Sequence, residues 1–155
     1  MAAATVAAAV SAPNLLARAA SPEKPRNALW YAALRKPYFT PPQPLIPLVW
    51  TAIEAALAWG AYRILRRRPS PARTQALVGS GVSVAMIGGW SLIFFGRKSL
   101  GASTAAAALM VGSGVYTYRK MAGLDRKAAA TLVPFVAWTG FATLLTATIW
   151  RMNRR

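Results

Sequence analysis

Residues 44–68 read PLIPLVWTAIEAALAWGAYRILRRR: a run of mostly apolar residues from Pro44 to Leu65, interrupted by Glu54 and Arg63, then three arginines. A helix that crosses the hydrocarbon of a bilayer needs about 20 mostly apolar residues. Arginines at its end can extend to the lipid headgroups. The pattern recurs at about 74–95, before Arg97 and Lys98; at about 100–118, before Arg119 and Lys120; and at about 128–150, before Arg151. Pro69 and Pro71 break the chain after the first of these runs, and Gly123 and Asp125 mark the turn before the last.

Composition agrees with this pattern. The 155 residues are 55% hydrophobic and only 14% charged, whereas soluble domains carry about 25% charged residues. There are too few polar side chains to cover a water-facing surface, so lipid is the natural solvent for the outside. The net charge of +16 raises nucleic-acid binding as a rival reading. That function wants basic side chains spread along one face of a folded domain. Here they punctuate the apolar runs, as helix ends at a membrane surface do, and we expect no nucleic-acid partner. The chain has no Cys and no His, which excludes disulfides, zinc sites, His-based triads and the usual ligation of haem iron. Its three acidic residues, Glu23, Glu54 and Asp125, are too scattered for a carboxylate metal cage.

The fold expected from these features is all-α: an integral membrane bundle of five transmembrane helices in one domain over 1–155, with helices at about 2–20, 44–65, 74–95, 100–118 and 128–150. Residues 2–20 admit three readings. They form a short first helix with Arg18 at its end, a secretory signal, or an acid-free transit peptide. The missing N-terminal positive charge favours the helix. Orientation is not legible, because both sets of loops are basic. The connection 21–43 is expected to be a stiff, semi-extended loop, since Pro37, Pro41 and Pro42 fix φ and disfavour helix before them. Its aromatic residues suit either an interfacial anchor or a rigid lid over a cavity.

The order of residues in that connection carries a resemblance. Trp30-Tyr31-x-x-Leu34-x-Lys36-Pro37-x-Phe39-x-Pro41-Pro42, followed by Pro47-Leu48-Val49-Trp50-Thr51, resembles the first-loop and second-helix signature of the translocator protein family. That family includes the peripheral-type benzodiazepine receptor and the bacterial tryptophan-rich sensory proteins. Trp90-Ser91-x-x-Phe94-Phe95-Gly96 is similar to its third-helix motif. Asp125-Arg126-x-Ala128-Ala129, Pro134-Phe135-x-x-Trp138-x-x-Phe141-Ala142 and Ile149-Trp150-x-x-Asn153 resemble its fifth. The match keeps register from about Trp30 to Asn153.

The resemblance implies a homodimer of five-helix bundles with a ligand cavity capped by the first loop. It implies flat or lipid-like ligands: porphyrin or haem, sterols, and benzodiazepine-type drugs. No obligatory cofactor or metal follows. By position, Tyr31, Trp50, Trp90, Phe94, Trp138 and Ala142 become ligand-binding residues, and Trp30, Pro37, Phe39, Pro41 and Pro42 become the lid. Three polar positions of the family pattern depart here. Glu54 stands where Tyr is usual, Ile87 where Asn is usual, and Thr146 where Asn is usual; all three belong to the expected site.

Glu54 lies near the middle of its helix, where a carboxylate costs about 3 kcal/mol on insertion scales. It is expected to face the bundle interior, on one face with Trp50 and Ala58. Its role there is either a pocket contact or a structural hydrogen bond. Trp138, Ala142, Thr146 and Trp150 share i, i+4 spacing. Trp138 is expected in the pocket and Trp150 as an interfacial anchor. Gly81, Ala85 and Gly89 form a small-residue ridge, suited to a homodimer seam or to a contact within the bundle.

These readings lead to a non-enzymatic membrane receptor or carrier for a tetrapyrrole or similar flat apolar ligand. The porphyrin propionates would lie near Lys36 or Arg35. Two alternatives stand beside it: light-dependent porphyrin breakdown with no assigned catalytic residue, and a sterol- or lipid-handling role without porphyrin affinity. The expected location is a bacterial cell membrane, with an outer membrane or an organelle membrane as alternatives.

Overall fold

A computed structural model describes residues 25–154; the expected first helix, at about 2–20, lies outside them. The described chain is all helix and turn: α1 (Pro25–Ala33), α2 (Leu45–Leu65), α3 (Pro71–Ser91, running on as a π-helical turn over Leu92–Gly96), α4 (Leu100–Ala122), α5 (Arg126–Ala130) and α6 (Val133–Asn153). At ~1.5 Å per residue, the 21 residues of α2 reach about the 30 Å of a hydrocarbon core. Among the described residues three segments are long and apolar enough to span: Leu45–Leu65, Pro71–Gly96 and Arg126–Asn153. With 23 residues, α4 is equally long but richer in small and hydroxyl residues. It packs against both α3 and α6, and a helix flanked by protein needs less apolar surface.

One expectation is corrected. The connection 21–43 is not extended throughout, because Pro25–Ala33 is helical. Pro25 opens this helix, where its missing N–H goes unused, and no proline follows until Pro37. Among the described residues, the extended, proline-driven part of the connection follows Ala33.

Packing inside the bundle follows small residues. A Cβ on Gly60 would collide with the Thr131 hydroxyl, and one on Gly114 would lie 2.7 Å from Val136 and 2.9 Å from Phe135. These glycines let α2 approach the α5–α6 turn and let α4 approach α6. Hydroxyls inside the bundle mostly donate one turn back, as Thr117 to Ser113, Thr139 to Phe135 and Thr146 to Ala142. Two polar contacts cross between α3 and α4: Ser83 with Ser113 at 3.0 Å, and the Trp90 indole donating to the Ser103 carbonyl at 3.0 Å.

A charged clasp closes the end of the bundle opposite the lid. Asp125 caps α5, accepting from the N–H groups of Lys127 and Ala128 at 2.9 and 3.1 Å. Its other oxygen accepts from Arg63 at 2.8 Å and Arg67 at 2.7 Å. The carboxylate side chain is 4% exposed. Arg67 foremost, with the Ala128 N–H and Arg63, holds its carboxyl well below the usual range against the opposing effect of burial. Arg73 donates to the carbonyls of Ile64 and Leu65, closing the C-terminus of α2.

Candidate functional site

The expected site residues fall into two groups of rings. In the first, Trp50 of α2 meets Trp138 of α6 edge to face, with centroids 6.4 Å apart. Trp138 packs on Phe141 at 5.5 Å, and Phe141 meets Phe39 of the lid at 6.3 Å. Beside these rings α2 and α6 make few contacts, and the space between them is an outward-open cleft of about 410 Å³. Its walls are Val49, Ala52 and Ile53 from α2 and Pro134, Ala137, Trp138 and Phe141 from α6. The volume lies within the range of about 300–1,000 Å³ usual for small-molecule pockets.

The second group lies between α1 and the π-turn. Phe94 is 2% exposed. It stacks on Trp90 at 4.8 Å and takes Trp30 and Tyr31 edge-on at 5.4 and 6.1 Å; Phe95 joins at 4.8 Å. The wider π-helical turn sets Phe94 and Phe95 side by side under α1. Burial pushes the Tyr31 hydroxyl pKa up. Among the described residues no ring contact joins this group to the first. Tyr31, Trp90 and Phe94 therefore hold α1 down and do not line the cavity between α2 and α6.

The lid is tied at three points. Asn153, at the end of α6, accepts from the Arg35 N–H at 3.0 Å and donates to the Arg35 carbonyl at 2.9 Å. The Lys36 ammonium donates to the carbonyls of Ala32 and Leu34 and sits 4.8 Å above the Tyr31 ring, so it caps α1. Thr40 closes a turn through the Pro37 carbonyl at 2.7 Å. Pro37 shapes this turn, and Pro41 and Pro42 carry the chain on into α2.

The inward stripe of α2 is Ile53, Leu57, Gly60 and Ile64. Glu54 is half-buried on its flank, beside Trp50 and Ala58, and is not among the cavity walls. Ile87 is buried in the common core. Ala142 is half-buried, and Thr146 is buried with its hydroxyl bonded within α6. Trp150 lies against Gly101 of α4, with Arg154 4.9 Å above its ring, as an interfacial anchor would. A Cβ at Gly81 or Gly89 would meet nothing within 4 Å. The small-residue ridge thus makes no close contact inside the described bundle.

Of the walls, sequence reasoning named only Trp138 as a site residue. Val49, Ala52 and Ile53 follow i, i+3, i+4 spacing, and Pro134, Ala137, Trp138 and Phe141 extend it to i+7. That periodicity was the available signal. Small residues such as Ala52 and Ala137 attract no notice when read singly.

Comparison with known proteins supplies the relationship. The model of the TspO/MBR family matches residues 2–151. The chain is 30% identical to the human translocator protein (Homo sapiens) over 127 residues, covering 80% of this chain and 75% of that one. It is also 30% identical to the tryptophan-rich sensory protein of Cereibacter sphaeroides over 124 residues, at 80% and 77% coverage. The same identity holds over 131 residues with the tryptophan-rich protein TspO of Chlorobaculum tepidum, at 83% of each chain. Helical architecture, apolar spans and matched sequence agree: this chain is a multi-pass membrane protein of the TspO/MBR family.

Proposed function

We propose that the protein is a membrane receptor or carrier that binds a tetrapyrrole, or a similarly flat apolar ligand, in the cavity between α2 and α6. The carrying observation is an open, almost entirely apolar cleft of about 410 Å³ with Trp138 in its wall and Trp50 against Trp138. An indole face offers stacking to a flat conjugated ring. With no His or Cys in the chain, binding rests on stacking and burial, and a metal-free porphyrin fits as well as haem. The Lys36 ammonium already serves α1, which leaves Arg35 as the better partner for a propionate. Relatives of similar identity come from bacteria and from mammals; a bacterial cell membrane is the location proposed, and the outward-facing Gly81 and Ala85 suit a homodimer seam.

The test is a titration of the purified protein with protoporphyrin, followed by tryptophan quenching. Saturable quenching that Trp138→Ala removes supports the reading; equal binding by both proteins rejects it. Copurified sterol or lipid without porphyrin affinity would favour the lipid-handling alternative.

The Trp50–Trp138 contact also suits light-dependent porphyrin breakdown with dissolved dioxygen as the oxidant, because a photoexcited porphyrin can exchange an electron with either indole. Illumination would then give new absorbing products. Spectra matching a protein-free control would remove that reading.

A further inference from the structure

The walls of the cavity are unequal, and their inequality indicates how a ligand reaches it. Toward the clasp, α2 and the α5–α6 turn meet at Gly60 and Thr131 so closely that a Cβ on Gly60 would collide. Toward the lid, Phe39 lies over Phe141 at 6.3 Å, and Asn153 ties the lid backbone at Arg35 through two bonds of 3.0 and 2.9 Å. The inner side is filled by the core of Ile53, Leu57, Phe135 and Leu132. Among the described residues nothing covers the remaining side, which faces outward between the two helices. Its walls there, Ala52, Pro134 and Ala137, are exposed and short. No charged side chain among the described residues lines the cleft. Among the described residues the gap is therefore a wedge, shut at Gly60, roofed by the lid, and open on its outer flank.

From this wedge we infer that the cavity is loaded and emptied sideways, through the gap between α2 and α6, by a ligand dissolved in the bilayer. The inference rests on the ligand reading above and deepens it by naming the ligand's phase. Water would find few polar partners in an apolar mouth, and ionised carboxylates would be costly to move through it. The favoured class is thus a flat, membrane-partitioning molecule whose charged groups are absent or can stay at headgroup level. The lid acts as a roof and not as the entrance.

The chain contains no cysteine, so a single Ala137→Cys variant of the full-length protein in lipid nanodiscs can carry one nitroxide label. Power saturation should show a label relaxed strongly by oxygen and weakly by a water-soluble nickel chelate. Strong relaxation by the chelate, or none by either reagent, overturns a lipid-side opening.

A stopped-flow arm uses protoporphyrin dimethyl ester delivered in vesicles. Ala137→Leu on one wall and Ala52→Leu on the other should each slow association about fivefold, while Asn153→Ala changes it by less than about twofold. Faster association in Asn153→Ala, with no effect of either leucine, assigns the entrance to the lid and overturns the inference. Failure of the wild type to bind the ester overturns the ligand reading instead, and the nitroxide result by itself still decides where the cavity opens.

Discussion

The two aromatic groups are built from the same residue types and do opposite things. Around Phe94, five rings from α1, α3 and the π-turn cover one another, and the Trp90 indole N–H is bonded to the Ser103 carbonyl. These rings are already in contact with protein, so the group stabilises. Around Trp138, rings from α2, α6 and the lid touch in a line, Trp50–Trp138–Phe141–Phe39, with a cavity along one side. Here the contact area is incomplete, and a ligand can complete it. An aromatic residue in a membrane bundle is thus not a binding residue by type; it becomes one where its neighbours leave a void.

That contrast can be broken by mutation. The largest stability loss is expected from Phe94→Ala, about 3 kcal/mol for emptying a buried aromatic position, with a clear fall in melting temperature in detergent. A melting temperature unchanged by this substitution would remove the stabilising role. Asp125→Ala comes next, at about 2–3 kcal/mol, because it removes both a helix cap and the partner of two arginines. It belongs to neither group, so porphyrin affinity per folded molecule should be unchanged.

Trp138→Ala should lower porphyrin affinity at least about tenfold, as loss of a central aromatic contact does, while the melting temperature moves little. Asn153→Ala should cost only about 1 kcal/mol, since its hydrogen bonds are largely exposed. Hydrogen exchange at Arg35 would reveal it as faster exchange there, with α4 protection unchanged. The most gradual effect is one of pH. The Asp125 carboxyl is held below its ordinary value, so its contribution is fully present above about pH 4 and drains away as the pH falls further. Melting temperature should be flat from pH 7 to 5 and fall below 4 in the wild type, with that fall reduced in Asp125→Asn.

The membrane bundle was legible because its signal is collective: whole runs of apolar residues between arginines. Helix ends were less so. The α3 segment begins at Pro71, earlier than hydropathy suggests, because Ser70 caps it through the Arg73 N–H. The α1 helix was hidden by the prolines downstream of it. The Trp50–Trp138 pairing came from motif order, since no local rule brings positions 88 residues apart into contact. Motif order also placed Tyr31, Trp90 and Phe94 at the ligand; the structure packs them together at α1, away from the walls between α2 and α6. The roles of Asp125 and Asn153 depend on chain crossings that periodicity does not encode.

The central claim is that a flat ligand sits between α2 and α6, against Trp138. Photocrosslinking locates it most directly: a diazirine-bearing porphyrin is bound to the full chain in nanodiscs, irradiated, and its adducts mapped by peptide mass spectrometry. The account predicts adducts within Val49–Ile53 and Pro134–Phe141, competed away by unlabelled protoporphyrin. Competable adducts confined to Trp90–Phe95 and Trp30–Tyr31 would contradict it.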